Sequence, residues 1–246
     1  MKKIQGIIFD MGSTLIEFEN STWVVLGERS AQTSFDFLRN KGLIRLDFDL
    51  YCSMLRNLLV SAFEISEQNL EEFRFEDLAK ELFKELHLDL KDGDYTGFLD
   101  TYYKPVTEQI TLVQDAVETL KYFKSEGYKL GLVSNTIFPG RFHLTELKRF
   151  GLFPYLEPIL FSSEVGYKKP HPQIFLQCLD DLKIKPEESI FVGDKLIEDI
   201  GGAKNVGMTG ILKYKEGRDY SASIIPDGII HKLSELPSLV KKISGE

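Results

Sequence analysis

The stretch that decides the fold is Ile7-Ile8-Phe9-Asp10-Met11-Gly12-Ser13-Thr14-Leu15. Together with Ile4, it forms a short apolar run closed by a small polar cluster, the pattern of a buried strand entering a loop. In a parallel sheet Asp10 then falls just past a carboxyl end, where such sheets present ligand-binding groups. A carboxylate there can attack phosphorus or carbon, or hold a metal ion. Taken alone, the segment is more simply a turn made of Asp, Gly and Ser. Its meaning depends on what the rest of the chain brings to the same edge.

Downstream of Leu15 the pattern turns helical. Tyr51, Met54, Leu55, Leu58, Leu59 and Ala62 recur at three and four, as do Phe75, Leu78, Ala79, Leu82, Phe83 and Leu86. Tyr95, Phe98, Leu99 and Tyr102 form another stripe, with Asp94 as its N-cap, and Ala31, Phe35 and Leu38 a weaker one. Pro105 is expected to end this block, because it cannot continue helical hydrogen bonding. From Thr111 onward helices and strands alternate. The strands Tyr128 to Val133, Ile159 to Phe161, Ser189 to Val192, Thr209 to Leu212 and Ile229-Ile230 are separated by helical stripes.

Alternating strands and helices imply a doubly wound parallel sheet, an α/β fold. The first strand joins that set, so the helical block is an insertion. The expected organisation is a core of residues 1–16 and 106–246 with a helical cap over 17–105.

Four polar sites then collect at one sheet edge. Asp10, Ser134 with Asn135, and Asp194 end three strands, and the loop Ser163-Glu164-Val165-Gly166-Tyr167-Lys168-Lys169-Pro170 is the fourth. Two carboxylates there repel unless a divalent cation neutralises them, and Asp194 and Asp199 offer the oxygen ligands that Mg²⁺ prefers. A lysine and a hydroxyl suit the remaining oxygens of a phosphoryl group. This chemistry points to magnesium-assisted phosphoryl transfer through an aspartyl intermediate.

The same residues resemble the four ordered motifs of the haloacid dehalogenase (HAD) superfamily of hydrolases. They are Phe-Asp-x-x-x-Thr-Leu from Phe9, Leu-Val-Ser-Asn-Thr from Leu132, Ser-x-Glu-Val-Gly-x-x-Lys-Pro from Ser162, and Val-Gly-Asp-x-x-x-x-Asp from Val192. The resemblance spans the whole core, and the insertion after the first motif matches the helical-cap branch. It implies Asp10 as nucleophile and Ser134 as a phosphoryl hydrogen-bond donor, with Asn135 shaping that pocket and Thr14 supporting the loop. Lys169 would bind the phosphate and offset charge near Asp10. Mg²⁺ would be held by Asp10, Asp194, the carbonyl of Gly12, and Asp199 acting through water or by orienting Lys169. Lys168 is expected at the surface.

One departure stands beside the nucleophile. Most phosphatases of this superfamily carry a second aspartate two residues after the first, as acid and base, and here that position is Gly12. Glycine keeps the metal-binding carbonyl and loses the proton donor, which is typically worth about 10²–10⁴ in rate. A phosphatase for a small phosphorylated metabolite is the leading expectation. The alternatives are a catalytically weak protein binding Mg²⁺ and a phosphorylated ligand, a phosphotransferase, or a carbon–phosphorus or carbon–halogen hydrolase.

Composition excludes other classes. With 43% hydrophobic and 28% charged residues, the 246-residue chain is not mainly disordered. Its net charge of -8 argues against a general nucleic-acid binder. No stretch approaches the length needed to cross a bilayer, and Asp10 interrupts the apolar run behind Met1-Lys2-Lys3 too early for a signal peptide. Cys52 and Cys178 read as buried thiols of a cytoplasmic protein. The four histidines lack ligand spacing, and only His143 is placed to reach the site. Trp23, Arg29 and several tyrosines could line the cleft, though packing or surface roles are the simpler reading.

Overall fold

The computed structural model describes residues 3–245. In chain order it runs β1 (Gly6–Phe9), β2 (Ile16–Glu17), α1 (Trp23–Asn40), α2 (Phe48–Asn69), α3 (Phe75–Glu85), α4 (Asp92–Gln109) and β3 (Thr111–Leu112). There follow α5 (Ala116–Ser125), β4 (Lys129–Ser134), α6 (Gly140–Arg149), β5 (Ile159–Phe161), α7 (Ser162–Val165) and α8 (Pro172–Leu182). The chain ends with β6 (Ser189–Gly193), a π-helical turn Leu196–Gly201, α9 (Gly202–Asn205), β7 (Thr209–Lys213), β8 (Gly228–Ile230) and α10 (Leu236–Ser244).

Six strands form one parallel sheet in the order β5-β4-β1-β6-β7-β8. The strand order reverses at β1: the chain builds outward through β4 and β5, then returns to β1's other side with β6. Asp10 therefore stands at the switch point, where the carboxyl ends of adjacent strands open a crevice. Register brings the site together, since Phe9 lies opposite both Leu132 and Val192. Ser134 and Asp194 then end the two strands that flank Asp10.

Both faces of β1 are buried, which explains its unbroken apolar run. Ile7 and Phe9 pack with Leu132, Val192, Leu120 and Leu236 on one side. Ile8 packs on the other with Val133, Phe191 and the inner face of α8, Ile174, Phe175 and Cys178. The helices α1 to α4 form a separate hydrophobic cluster around Phe35, Tyr51, Phe75, Leu82 and Phe98. The two crossings between cluster and sheet run side by side as an antiparallel pair, Ile16 opposite Leu112 and Glu17 opposite Thr111.

Three local expectations are corrected. Pro105 does not end a helix: α4 continues through it to Gln109. The carbonyl that Pro105 leaves without its helical donor belongs to Thr101, and the hydroxyl of Thr33 on α1 lies within reach of it at 3.0 Å, sharing its one proton with the Arg29 and Ser30 carbonyls of its own helix. Asp94 lies inside the first turn of α4 and pairs with Lys41, while the N-cap position falls to Lys91. Cys178 is buried, but Cys52 is only partly so. Among the described residues no helix is long and apolar enough to cross a membrane.

Candidate active site

The loop after β1 places Asp10 with its backbone N–H donating to the carbonyl of Val192 at 2.9 Å. The hydroxyl of Thr14 donates to Asp10 Oδ2 at 3.4 Å. Lys169 reaches in from the loop ahead of α8, and its ammonium has three acceptors. These are Asp10 Oδ1 at 2.6 Å, Asp199 Oδ1 at 2.7 Å and the Val133 carbonyl at 3.0 Å. Only 2% of Lys169 is exposed, so an ammonium without these partners would be costly there.

Asn135 holds that lysine by its backbone. Its Oδ1 accepts from Lys169 N–H at 2.8 Å, and its Nδ2 donates to the Lys169 carbonyl at 3.0 Å. Asp199 is gripped at both oxygens, because Oδ2 accepts from the Lys195 N–H at 2.9 Å. Its approach needs Gly193, since a Cβ there would lie 2.4 Å from the Asp199 carboxyl.

Electrostatics follow from this crowding. Carboxylate oxygens of Asp10, Asp194 and Asp199 lie within 4.8 Å of one another, and all three residues are buried. Burial pushes Asp10 up, Asp199 adds to the rise, and Lys169 opposes it. Burial and the charges of Asp10 and Asp199 push Asp194 up to about 7, against the pull of Arg218. Burial works to discharge Lys169, but Asp10 and Asp199 overcome it and hold the ammonium charged. Three converging carboxylates with one internal lysine remain an anionic, all-oxygen donor set. That set fits Mg²⁺, and Asp10, Asp194, Asp199 and Gly12 all line the cleft.

Seven residues singled out from sequence, Asp10, Gly12, Ser134, Asn135, Lys169, Asp194 and Asp199, line a single cleft of about 710 Å³ between the sheet edge and the helical cluster. Lys168 is a correction. It is 9% exposed, its N–H donates to the Leu70 carbonyl at 3.0 Å, and its ammonium meets Glu67 at 2.5 Å. The segment after α2 lies across it, with Glu72 N–H donating to the Gly166 carbonyl and Glu72 Oε2 accepting from Ser162. Burial pushes the Glu72 carboxyl up to about 7.

His143 does reach the cleft, from α6, with both ring nitrogens engaged. Nε2 meets the Thr136 hydroxyl at 2.7 Å and Nδ1 the Tyr103 hydroxyl at 3.3 Å. Burial holds it down to about 3, so it is a neutral imidazole at physiological pH. Trp23 and two tyrosines, Tyr102 and Tyr103, line the cleft, while Arg29 pairs with Glu108 at the surface.

Two features escaped the sequence. Arg218, in the loop after β7, donates through Nη2 to Asp194 Oδ2 and through Nη1 to Glu19 at 3.2 Å. Its neighbour Lys215 binds Ser13 Oγ, Glu17 and Glu19. The signal was available: this loop also follows the carboxyl end of a parallel strand. Phe18 is the other, standing against Gly12. No periodicity marks it.

A doubly wound sheet with three buried carboxylates and a buried lysine at its switch point has the layout of a hydrolase site. Residues 48–213 match the haloacid dehalogenase-like hydrolase family, and the chain belongs to that family. It is 29% identical over 237 residues to a glyceraldehyde 3-phosphate phosphatase of Pyrococcus furiosus, covering 92% of each chain. A protein of the same description from Methanocaldococcus jannaschii is 28% identical over 250 residues, covering 98% of each. The crystal structure of a HAD phosphatase from Thermococcus onnurineus superposes with a TM-score of 0.65 at 27% identity, covering 96% of this chain and 98% of that one.

Proposed function

We propose that this hydrolase is a Mg²⁺-dependent phosphatase that cleaves the phosphate monoester of a small metabolite through an aspartyl-phosphate at Asp10. The observation that carries the reading is Asp10 at the switch point, 2.6 Å from Lys169 and within 4.8 Å of two further buried carboxylates. The relatives named as phosphatases supply the reaction class. Residues 17–105, read as a cap, would close over the cleft and exclude water. Both cysteines are free thiols, as a reducing cytoplasm keeps them.

In this reading the Asp10 carboxylate attacks phosphorus, the P–O bond to the leaving group breaks, and water then attacks phosphorus to release phosphate and restore Asp10. Lys169 holds Asp10 in place and offsets the charge that gathers on the phosphoryl oxygens. Asn135 positions Lys169, and Asp199 fixes the other side of the ammonium. Ser134, buried at the end of β4, faces the same oxygens. A bound Mg²⁺ supplies charge neutralisation for the phosphoryl group. With Gly12 in place of a carboxylic acid, the leaving oxygen takes its proton from elsewhere. Esters with acidic alcohols are therefore favoured.

The test is a panel of phosphate esters with and without Mg²⁺, on wild type and Asp10→Asn. Magnesium-dependent hydrolysis lost in the variant, fastest for para-nitrophenyl phosphate, supports the proposal. Turnover retained by Asp10→Asn removes Asp10 as nucleophile. Phe18 packed against Gly12 favours a second reading, a protein that binds a phosphorylated ligand with little turnover. Tight ligand binding without hydrolysis would select it.

A further inference from the structure

Two helices also present residues to the cleft, on α1 from a face distinct from the one that packs the helical cluster. On α1 the packing face is Ala31, Phe35 and Leu38, whereas Trp23, Leu26, Gly27 and Ser30 recur at helical spacing along the cleft. On α2 Phe63 and Leu59, four apart, line the cleft as well, Leu59 also packing against the helical cluster. Trp23 is 54% exposed, and Phe63, edge-on to the Phe73 ring at 4.9 Å, is 44% exposed, so both leave apolar surface open at the wall.

That wall has no use for the phosphoryl group, whose oxygens need charge and hydrogen-bond donors. Yet it lines the same cavity as Asp10 and Lys169, a space of about 710 Å³ that far exceeds a phosphoryl group or a triose. Gly27 points the same way. Glycine is a poor choice inside a helix, and nothing lies within 4 Å of a Cβ built there, so packing does not require it. Its effect is to recess the wall between Trp23 and Ser30.

We propose that the leaving group of the substrate is a bulky, largely apolar alcohol whose body lies along this wall, with the bare backbone at Gly27 giving it room. This rests on the phosphatase reading above and goes beyond it, since it sets the substrate class apart from the triose phosphate for which two relatives are named. Apolar surface buried against Trp23, Leu59 and Phe63 binds the alcohol, while Asp10 and Lys169 meet the phosphate.

The test compares propyl phosphate with 3-phenylpropyl phosphate, whose leaving alcohols have nearly the same acidity, so that chemistry is matched and only the body differs. The expected kcat/KM ratio favours the phenylpropyl ester by about tenfold or more, the range a hydrophobic pocket supplies. In Gly27→Leu, which fills the recess, that ratio falls several-fold, while a thermal melt verifies folding. Phe63→Ser tests the wall from α2 should Gly27→Leu fail to fold. Equal efficiency on the two esters in wild type, or a preference unmoved by both variants, overturns the inference and leaves the phosphatase standing. Failure of wild type to hydrolyse even para-nitrophenyl phosphate with Mg²⁺ overturns both.

Discussion

Gly12 and Phe18 share one space. A Cβ at position 12 would lie 3.3 Å from Cδ2 and 3.7 Å from Cε2 of the Phe18 ring. The ring is held from behind, because the Phe18 carbonyl accepts from Gln109 Nε2 and the ring meets His143 edge-on at 6.1 Å. The first contact is tight enough that Phe18 must yield before a side chain can stand beside Asp10.

Restoring the acid therefore takes two changes. Gly12→Asp alone is expected to raise hydrolysis of alkyl phosphates only a few-fold, because its carboxyl is crowded by the ring. Gly12→Asp with Phe18→Leu should raise it by about 10² or more, the lower range for a positioned general acid. Para-nitrophenyl phosphate should respond far less to either. Steady-state kinetics on both esters decide it. A full gain from the single variant would show that Phe18 moves freely.

Lys169 lies between Asp10 and Asp199, and its removal leaves two buried carboxylates facing each other. Lys169→Met is expected to abolish turnover and to cost about 3–5 kcal/mol in metal-free protein, the range for breaking a buried ion pair. Added Mg²⁺ should recover part of the loss by supplying a cation to the same carboxylates. Urea unfolding with and without Mg²⁺ measures both. Asp10→Asn should behave oppositely, losing activity while the metal-free Tm holds or rises, since burial and Asp199 already disfavour the Asp10 charge.

Arg218 places a guanidinium on Asp194 Oδ2. A cation there opposes a second cation at the same carboxylate, by Coulomb's law at the effective dielectric of a partly buried site. Arg218→Gln is expected to tighten Mg²⁺ binding by about tenfold, read by titration calorimetry on protein stripped of metal. Weaker binding in the variant would instead make Arg218 an orienting partner of Asp194.

The sheet was legible because its strands are buried on both faces and end in polar clusters, a pattern local to each segment. The convergence of Asp10, Ser134, Asp194 and the loop that holds Lys169 followed from parallel topology, while Lys169 itself was singled out by the motif it resembles. The misses depend on contacts distant in sequence. Pro105 stays within a helix packed against α1, where the Thr33 hydroxyl lies beside the Thr101 carbonyl, and Lys168 is buried because Leu70 and Glu67 lie across it. Arg218 bonds Glu19 and Asp194 from a loop whose own residues look like any polar turn. Nothing in the order of residues says that Phe18 fills the space beside Gly12. Such facts belong to packing, and packing is set by the whole chain.

His143 gives the fold a specific weakness in acid. Its imidazole is 2% exposed, engaged by Thr136 and Tyr103, and held by burial down to about 3 against an ordinary 6.5. A base with a depressed folded pKa binds its proton more readily in the unfolded chain. Its contribution to stability is thus complete above pH 6.5 and is lost progressively as the pH falls toward 3. Between pH 7 and pH 4.5 the loss should reach about 2–3 kcal/mol, at 1.36 kcal/mol per unit over the interval below 6.5. In His143→Gln, which retains a hydrogen bond to Thr136 and cannot titrate, this component disappears. Urea unfolding of both proteins at the two pH values isolates it, because the carboxylates of the site titrate alike in each and cancel in the difference. If wild type and variant lose equal stability on acidification, the imidazole must already share its proton with the buried Thr136 and Tyr103 hydroxyls in a form that tolerates charge.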